Sequence, residues 1–400
     1  MRHLGVAIIG TGFMGAVHAE ALKRVGVTLT GILGSSAEKS EAAAERLGVP
    51  RVYATYEEAL RDPAVHAVHI CTPNRLHLPQ TLAALEAGKH VMCEKPLGMD
   101  AAESVQLVAA ARAHPHLATG VNYNNRYYAL VREARDKIAR GEVGPIFHIT
   151  GSVAQDWLLY AHDYNWRVLA EHQGALRALA DIGSHWLDLV HFVSGLEIEA
   201  LCADYMTVHP LRHRPVGEVE TFANKLAGEQ HTEAVPITTD DFGCVLLRFR
   251  GGARGVFWVS QVSPGRKYRV SFEIAGQHRT LAWNSEACEE MWVGRREGPN
   301  ELLMRDPALM SPFARQLSDY PGGHDEGYPD SFKMCFRSFY RYIAAGDFDA
   351  PKPYPTFEDG HRDNALCEAF LASKQQGRWI LLPLEGEAGG DAQGESREGA

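Results

Sequence analysis

From residue 5 to about 121 the chain alternates short apolar runs with stretches in which apolar positions recur every three or four residues. "VAII" (6–9), "TLTGIL" (28–33), "AVHI" (67–70), "HVMC" (90–93) and "LATGV" (117–121) read as strands. The patterns between them predict helices over about 13–24, 38–47, 76–87 and 101–113. Strand and helix in strict alternation predict an α/β unit with a parallel, doubly wound sheet.

After residue 122 the pattern changes. A helix is predicted over about 129–140, stopped by "GEVG" (141–144), and "PIFHITGSVA" starts a strand. A strongly amphipathic helix follows over 179–193, and then "DFGCVLLRF" (241–249), "ARGVFWVSQV" (253–262) and "YRVSFEIAG" (268–276). Alternating strands joined by turns such as "RGG" and "SPGRK" predict a mostly antiparallel sheet in an α+β domain. Helical patterns near 329–345 and 358–375 complete it, the last expected to pack back on the first domain. The expected organisation is a first domain over 1–121, a second domain over 122–384, and a disordered Gly- and Glu-rich tail over 385–400.

The composition narrows the class. With 400 residues, 45% of them hydrophobic and 22% charged, the chain can fill two substantial cores. A formal charge of −10 with scattered basic residues leaves no electrostatic footprint for nucleic acid and points to a small-molecule partner. Seven dispersed cysteines without a CxxC pair read as reduced thiols. The N-terminal apolar run is too short for a signal peptide, and no segment has the length of a membrane span, so no membrane partner and a cytoplasmic location are expected.

Chemistry enters at the strand ends. "GTGFMG" spaces Gly10, Gly12 and Gly15 directly after the first strand, with Phe13 and Met14 between them. That spacing suits a tight turn, a backbone in contact with a pyrophosphate, and close helix packing. An acid at the end of the second strand would hold the ribose of NAD; here "GSSAEKS" offers Ser35, Ser36 and Lys39, which suit a 2′-phosphate, although Glu38 could still reach a ribose. The cofactor is expected to be NADP or NAD, with a slight lean to NADP. Thr72, Pro73, Asn74 and His77 follow the third strand, with cap and surface readings equally open for the last two. Glu94 and Lys95 follow the fourth, and Asn122 follows the fifth, so all border the crevice beyond the strand ends.

In "LADIGSHWLDLVHF" (179–192), Asp181, His185 and Asp188 share one helix face, opposite Ile182, Trp186, Leu189 and Val193. A solvated polar face is the plain alternative. His185, Asp188 and His191 spread too far around the helix for a ligand set, so no metal is expected. "YPGGHDEGYPD" (320–330) carries His324 on a turn-rich loop.

Taken together, "GTGFMG", "CEKP" and "DIGSHWLD", with "GVNYNNRY" (120–127) and "PGGHDEGYPDSF" (321–332), resemble the Gfo/Idh/MocA family, the group of glucose–fructose oxidoreductase and inositol dehydrogenase, over about 4–375. The resemblance implies a nucleotide-binding Rossmann domain over 1–121 followed by a substrate-binding and oligomerisation domain over 122–384, whose large, mostly antiparallel open sheet often forms the subunit interface, hence a homodimer or homotetramer. It implies a catalytic set of Lys95, Asp181 and His185, a Lys–Pro peptide that is often cis, and hydride transfer between NAD(P) and a secondary alcohol of a sugar, sugar derivative or inositol. The acid common in the family at the end of the second strand is absent here. Lys95 would stabilise charge on the substrate oxygen, and His185, with an ordinary pKa of about 6.5, is suited to accept the proton near neutral pH, although either group could be the direct base in a proton relay. Substrate contacts are expected from Lys95, Tyr123, Gln155, Trp157, Arg167, Asp181, His185 and His324. Two other readings are a glycoside-cleaving or eliminating enzyme that oxidises its sugar transiently, and a non-catalytic dinucleotide sensor; retention of all three catalytic groups weighs against the sensor.

Overall fold

The computed structural model describes residues 1, 3–215 and 232–383; the expected tail at 385–400 lies outside them. The first sheet contains β1 (Gly5–Ile9), β2 (Thr28–Leu33), β3 (Ala67–Ile70), β4 (His90–Cys93) and β5 (Thr119–Val121), ordered β2-β1-β3-β4-β5 with every pairing parallel. A lone parallel bridge from Ile32 to Val52 adds a position outside β2. The order is then that of dinucleotide-binding sheets, with the direction of winding reversing between β1 and β3. β1 and β3 are buried along their whole length, as strands covered on both faces must be.

The covering helices are α1 (Phe13–Val25), α2 (Ala37–Leu47), α3 (Tyr56–Arg61), α4 (His77–Glu86) and α5 (Ala101–Ala113). Their ends follow local chemistry. Ser36, Thr55 and Asp100 each accept a backbone N–H at a helix start, and Gly26 and Gly48 close α1 and α2 in the left-handed region.

The second region opens with α6 (Ala129–Ala139), β6 (Ile146–Ala154), α7 (Ala170–Gln173) and α8 (Ser184–Ser194). It continues through β7 (Ile198–Met206), β8 (Leu211–Pro215), β9 (Thr232–Pro236), β10 (Phe242–Phe249), β11 (Arg254–Ser260) and β12 (Arg269–Gly276). β13 (Thr280–Asn284), β14 (Glu290–Gly294) and β15 (Glu301–Met304) extend it, and β16 (Ile380–Leu381) returns at the far edge. Apart from the β8–β9 hairpin these strands form one sheet, ordered β15-β14-β13-β12-β6-β11-β10-β7-β16, in which only β6 and β11 pair in parallel.

One face of this sheet packs on α8. Trp186 is fully buried there, stacked 4.5 Å from Phe257, and its indole N–H donates to the Ser271 carbonyl at 2.9 Å. The other face is open and carries Leu246 opposite Val256, and Trp292 opposite Leu302, all exposed.

α9 (Pro312–Arg315), α10 (Tyr328–Ala345) and α11 (Phe357–Gln376) lead back to the first sheet. α10 lies on α1 and adds Phe332, Phe336, Phe339 and Tyr340 to the core that holds Leu22 and Val25. α11 lies on α5, where the Asn364 amide donates to the carbonyls of Gly98 (2.8 Å) and Asp100 (3.1 Å). Among the described residues no helix is long and apolar enough to cross a membrane.

Removing the indole that joins α8 to the sheet leaves a cavity and deletes its bond to the Ser271 carbonyl. Trp186→Ala should cost about 3–5 kcal/mol, read as a lower urea midpoint; an unchanged midpoint would contradict this account of the core.

Candidate active site

Residues 10–15 form the turn from β1 into α1. Gly10 has φ +117°, and a Cβ there would lie 2.5 Å from the Cys71 carbonyl oxygen; a Cβ on Gly15 would lie 2.1 Å from that of Gly10. Around Gly12 there is open space. α1 follows Gly12 with no side-chain cap and no acid in its first turn, so no carboxylate of the helix itself offsets its positive end. Contact at Gly10 and Gly15 with openness at Gly12 fits a dinucleotide pyrophosphate.

Ser35, Ser36 and Lys39 are exposed at the end of β2. Ser36 caps α2 by accepting the Lys39 N–H at 3.3 Å. Its hydroxyl also holds the Glu38 carboxyl below the ordinary range, aided by a backbone N–H. A carboxylate therefore stands beside the serine pair. The Thr72 hydroxyl donates to Gln80 at 2.7 Å, and Pro73 opens a short turn whose Asn74 amide donates to the Gln173 carbonyl of α7 at 3.1 Å. Asn74 thus serves the domain junction. His77 is a correction to both earlier readings: its ring is fully buried, with Nδ1 2.8 Å from the Pro96 carbonyl and Nε2 3.0 Å from that of Thr72, so no ligand reaches it.

The Lys95–Pro96 peptide is cis. The Lys95 ammonium donates to the Asp181 carboxylate and to the Asp181 backbone carbonyl, each at 2.7 Å, and both side chains are almost buried. A lysine ammonium has three donors, so one remains for the cleft. Asp181 sits in a widened, π-type turn (Ala178–Gly183) that precedes α8. The irregular backbone is satisfied by buried Asp240, whose carboxylate accepts the N–H groups of Arg177 (2.5 Å) and Leu179 (2.8 Å). Arg177 pairs in turn with Asp241, which Arg212 also holds.

Electrostatics separates the groups. Burial pushes the Asp181 carboxyl up, but Lys95, Arg167 and His185 outweigh it and hold it at about 2. His185 is driven down to about 3, first by burial and then by the Lys95 ammonium. The expectation of an imidazole titrating near neutrality is therefore corrected: the ring is neutral, and its Nδ1 is buried without a hydrogen-bond partner. Burial also pushes Glu94 up, yet His18, Lys95 and the Asn122 amide hold it at about 2; its Oε1 lies 2.8 Å from His18 Nε2 and accepts from Asn122 at 2.5 Å.

One cleft between the two domains gathers Phe13, Met14, Glu94, Lys95 and Asn122 with Gln155, Trp157, Arg167, Asp181 and His185. The Trp157 indole donates to Gln155 at 3.0 Å, and the Arg167 guanidinium lies 4.4 Å from the Trp166 ring. Asn124, Ile182, Tyr268, Tyr328 and Phe332 complete the lining. Sequence reasoning missed them as site residues, although Tyr328 and Phe332 fall within the quoted "GYPDSF". Two expected substrate contacts are corrected. Tyr123 has no exposed surface and packs edge-on behind His185, with ring centres 6.1 Å apart. His324 is exposed outside the cleft lining and is tied to Arg305 through its carbonyl. The solvated polar face is likewise overturned, because Asp181, His185 and Asp188 are all buried. Asp188 is clasped by Arg126, and His191 Nδ1 lies 3.1 Å from the Leu196 carbonyl. Among the described residues there is no metal-ligand cluster.

An oxidoreductase family model with an NAD-binding Rossmann fold matches residues 4–123, and the Gfo/Idh/MocA C-terminal domain model matches residues 131–282. The chain is 28% identical to levoglucosan dehydrogenase of Pseudarthrobacter phenanthrenivorans, over 96% of this chain and 99% of that one. It is 26% identical to myo-inositol 2-dehydrogenase of Thermotoga maritima, over 94% and 98% respectively. A solved levoglucosan dehydrogenase in complex with NADH and L-sorbose superposes with a TM-score of 0.85 at 28% identity, covering 95% of this chain and 99% of that one.

The depressed proton affinities set a pH dependence. His185, lowered from 6.5 to about 3, contributes stability that is complete above its unfolded value and lost as pH falls toward 3. Asp181, lowered from 3.8 to about 2, contributes stability present above 3.8 and lost as pH falls through 2. Urea midpoints from pH 7 to 2 should show His185→Gln flattening the upper part of the acid limb, by at most about 1.4 kcal/mol per pH unit. Asp181→Asn should flatten only the lower part, and identical limbs for both variants would refute these ionisation states.

Proposed function

Because the chain belongs to the Gfo/Idh/MocA family of oxidoreductases, we propose that it is a dehydrogenase moving a hydride between NAD(H) and a secondary alcohol of a sugar, sugar derivative or inositol. The observation that carries this reading is the Lys95 ammonium, bound twice to Asp181 across the two domains, with one N–H left for the cleft beside a neutral His185.

When bound, the dinucleotide supplies the hydride acceptor. The chain must stabilise the oxygen and remove its proton. The spare Lys95 donor faces the charge that develops on the alcohol oxygen, held by two 2.7 Å bonds so that it need not reorganise during the reaction. His185 is unprotonated and accepts the proton; the adjacent Asp181 carboxylate favours the imidazolium so formed. Trp157, Tyr268 and Tyr328 supply aromatic faces, and Gln155, Asn124 and Arg167 supply polar groups, the mixture a polyol ring requires. The levoglucosan and myo-inositol relatives support the same substrate class.

NAD(H) is favoured over NADP(H) by Glu38, whose carboxylate beside Ser36 suits a ribose hydroxyl and repels a 2′-phosphate. This replaces the lean drawn from Ser35, Ser36 and Lys39. The apolar residues on the open face of the large sheet support self-association as a dimer or tetramer, which light scattering would read as a multiple of the single-chain mass.

Purified protein should generate reduced nicotinamide, followed by its near-ultraviolet absorbance, from NAD+ with one member of a panel of anhydrosugars, aldoses and inositols. Lys95→Met should lower kcat by about two to three orders of magnitude in a protein that still binds NAD+. An undiminished kcat would remove Lys95 from the reaction. Cofactor binding with no response to any sugar would favour transient oxidation or sensing.

A further inference from the structure

Behind the cleft, four polar side chains form a single file through the core of the first domain. The Tyr340 hydroxyl lies 2.9 Å from His69 Nε2, His69 Nδ1 lies 2.8 Å from His18 Nδ1, and His18 Nε2 lies 2.8 Å from Glu94 Oε1. Tyr340, His69 and His18 have no exposed surface, and Glu94 reaches the surface only at the cleft. The Phe336 ring lies 4.7 Å from both imidazoles, so the file runs in an apolar sleeve.

The protons in this file have one arrangement that wastes none. Ionised Glu94 only accepts, so His18 Nε2 donates to it. The Tyr340 hydroxyl has His69 as its sole hydrogen-bond partner among the described residues, so its proton goes to His69 Nε2. His69 then carries its proton on Nδ1 and donates to His18 Nδ1, beside which the Cys71 thiol also lies at 3.2 Å. Burial keeps His69 from taking a second proton. The result is a directed chain, Tyr340 to His69 to His18 to Glu94, in which each bond polarises the next. The Asn122 amide and the Lys95 backbone N–H (3.3 Å) donate to the same carboxylate.

Burying four polar groups in a core of Leu, Val and Phe is costly unless they act together. Their common end is a carboxylate that lines the same cleft as Phe13 and Met14, the residues of the nucleotide turn. Resting on the dehydrogenase reading above, we infer that His18, His69 and Tyr340 are positioning residues that hold Glu94 as a fixed anion on the cofactor side of the cleft, so that the protein binds oxidised nicotinamide in preference to reduced. The oxidised ring is a cation and the reduced ring is neutral. A fixed negative charge therefore discriminates between them, whereas a packing role would not.

The test is the ratio of dissociation constants for the oxidised and reduced forms of whichever nucleotide pair the wild type binds more tightly, measured by fluorescence titration without substrate. Glu94→Gln should move the ratio about tenfold toward the reduced form. His18→Leu should move it the same way, about fivefold, and His18→Gln, which keeps a donor near Nε2, should restore most of the preference. Tyr340→Phe, which preserves shape, should move it about twofold. An unchanged ratio in Glu94→Gln, or equal weakening of both forms in the variants, overturns the inference. If His18→Leu does not fold, Glu94→Gln and Tyr340→Phe decide alone. A wild type that binds neither nucleotide pair overturns the dehydrogenase reading itself, while binding with unmoved ratios overturns only this one.

Discussion

The contact on which the site depends is the pair of hydrogen bonds from Lys95 to Asp181. An ammonium and a carboxylate that are almost buried cannot each stand alone, because an uncompensated buried charge costs several kcal/mol. Lys95 is fixed by the end of β4, and Asp181 belongs to the other domain. The two domains therefore meet in the orientation that lets these charges find each other. The cleft is what that orientation leaves open.

The same constraint explains the irregular backbone around Asp181. A regular helix over the whole of 179–193 would have offered its carbonyl to a backbone N–H, whereas the widened turn leaves the Asp181 carbonyl to accept from Lys95 as well. The turn exposes N–H groups in a buried place, and the cost of leaving them unpaired is met by Asp240. Asp240 is followed in the chain by Asp241, which binds Arg177 and Arg212. The geometry at one end of α8 is thus held by a buried ionic cluster whose residues do not line the cleft.

Much of this was legible from residue order, and the limits of that legibility have physical causes. Strand ends and the glycine turn are local, so periodicity and spacing found Gly10, Gly15 and Lys95. The helix face of Asp181 and His185 was visible, but a helical wheel treats polar residues as solvated. It could not show that Asp188 is buried against Arg126, which approaches from the segment after β5. His77 and Tyr123 have the residue types of a ligand site, yet burial removes both from solvent. Tyr268, just before β12, and Tyr328 and Phe332, on α10, reach the cleft from positions more than 100 residues away from Lys95 in sequence. Only the packing of α10 on α1 brings the last two there. That the Ser36 hydroxyl holds Glu38 depends on a side-chain direction that letters do not carry.

The charges of the assembled site have a common property. Asp181 and Glu94 are held at about 2 and His185 at about 3, each far from neutrality, although burial alone would have raised the two acids. The acids are held down by donors and cations, and the imidazole is held down by burial and an adjacent ammonium. Across the neutral range these three groups keep one protonation state, so the field in the cleft is set by the fold and not by the solution. Such a field needs no reorganisation when charge develops on a substrate oxygen, which is where preorganised dipoles and charges contribute most. On the proposed reading, proton transfer to His185 is coupled to loss of the hydride through the charges of Lys95 and Asp181.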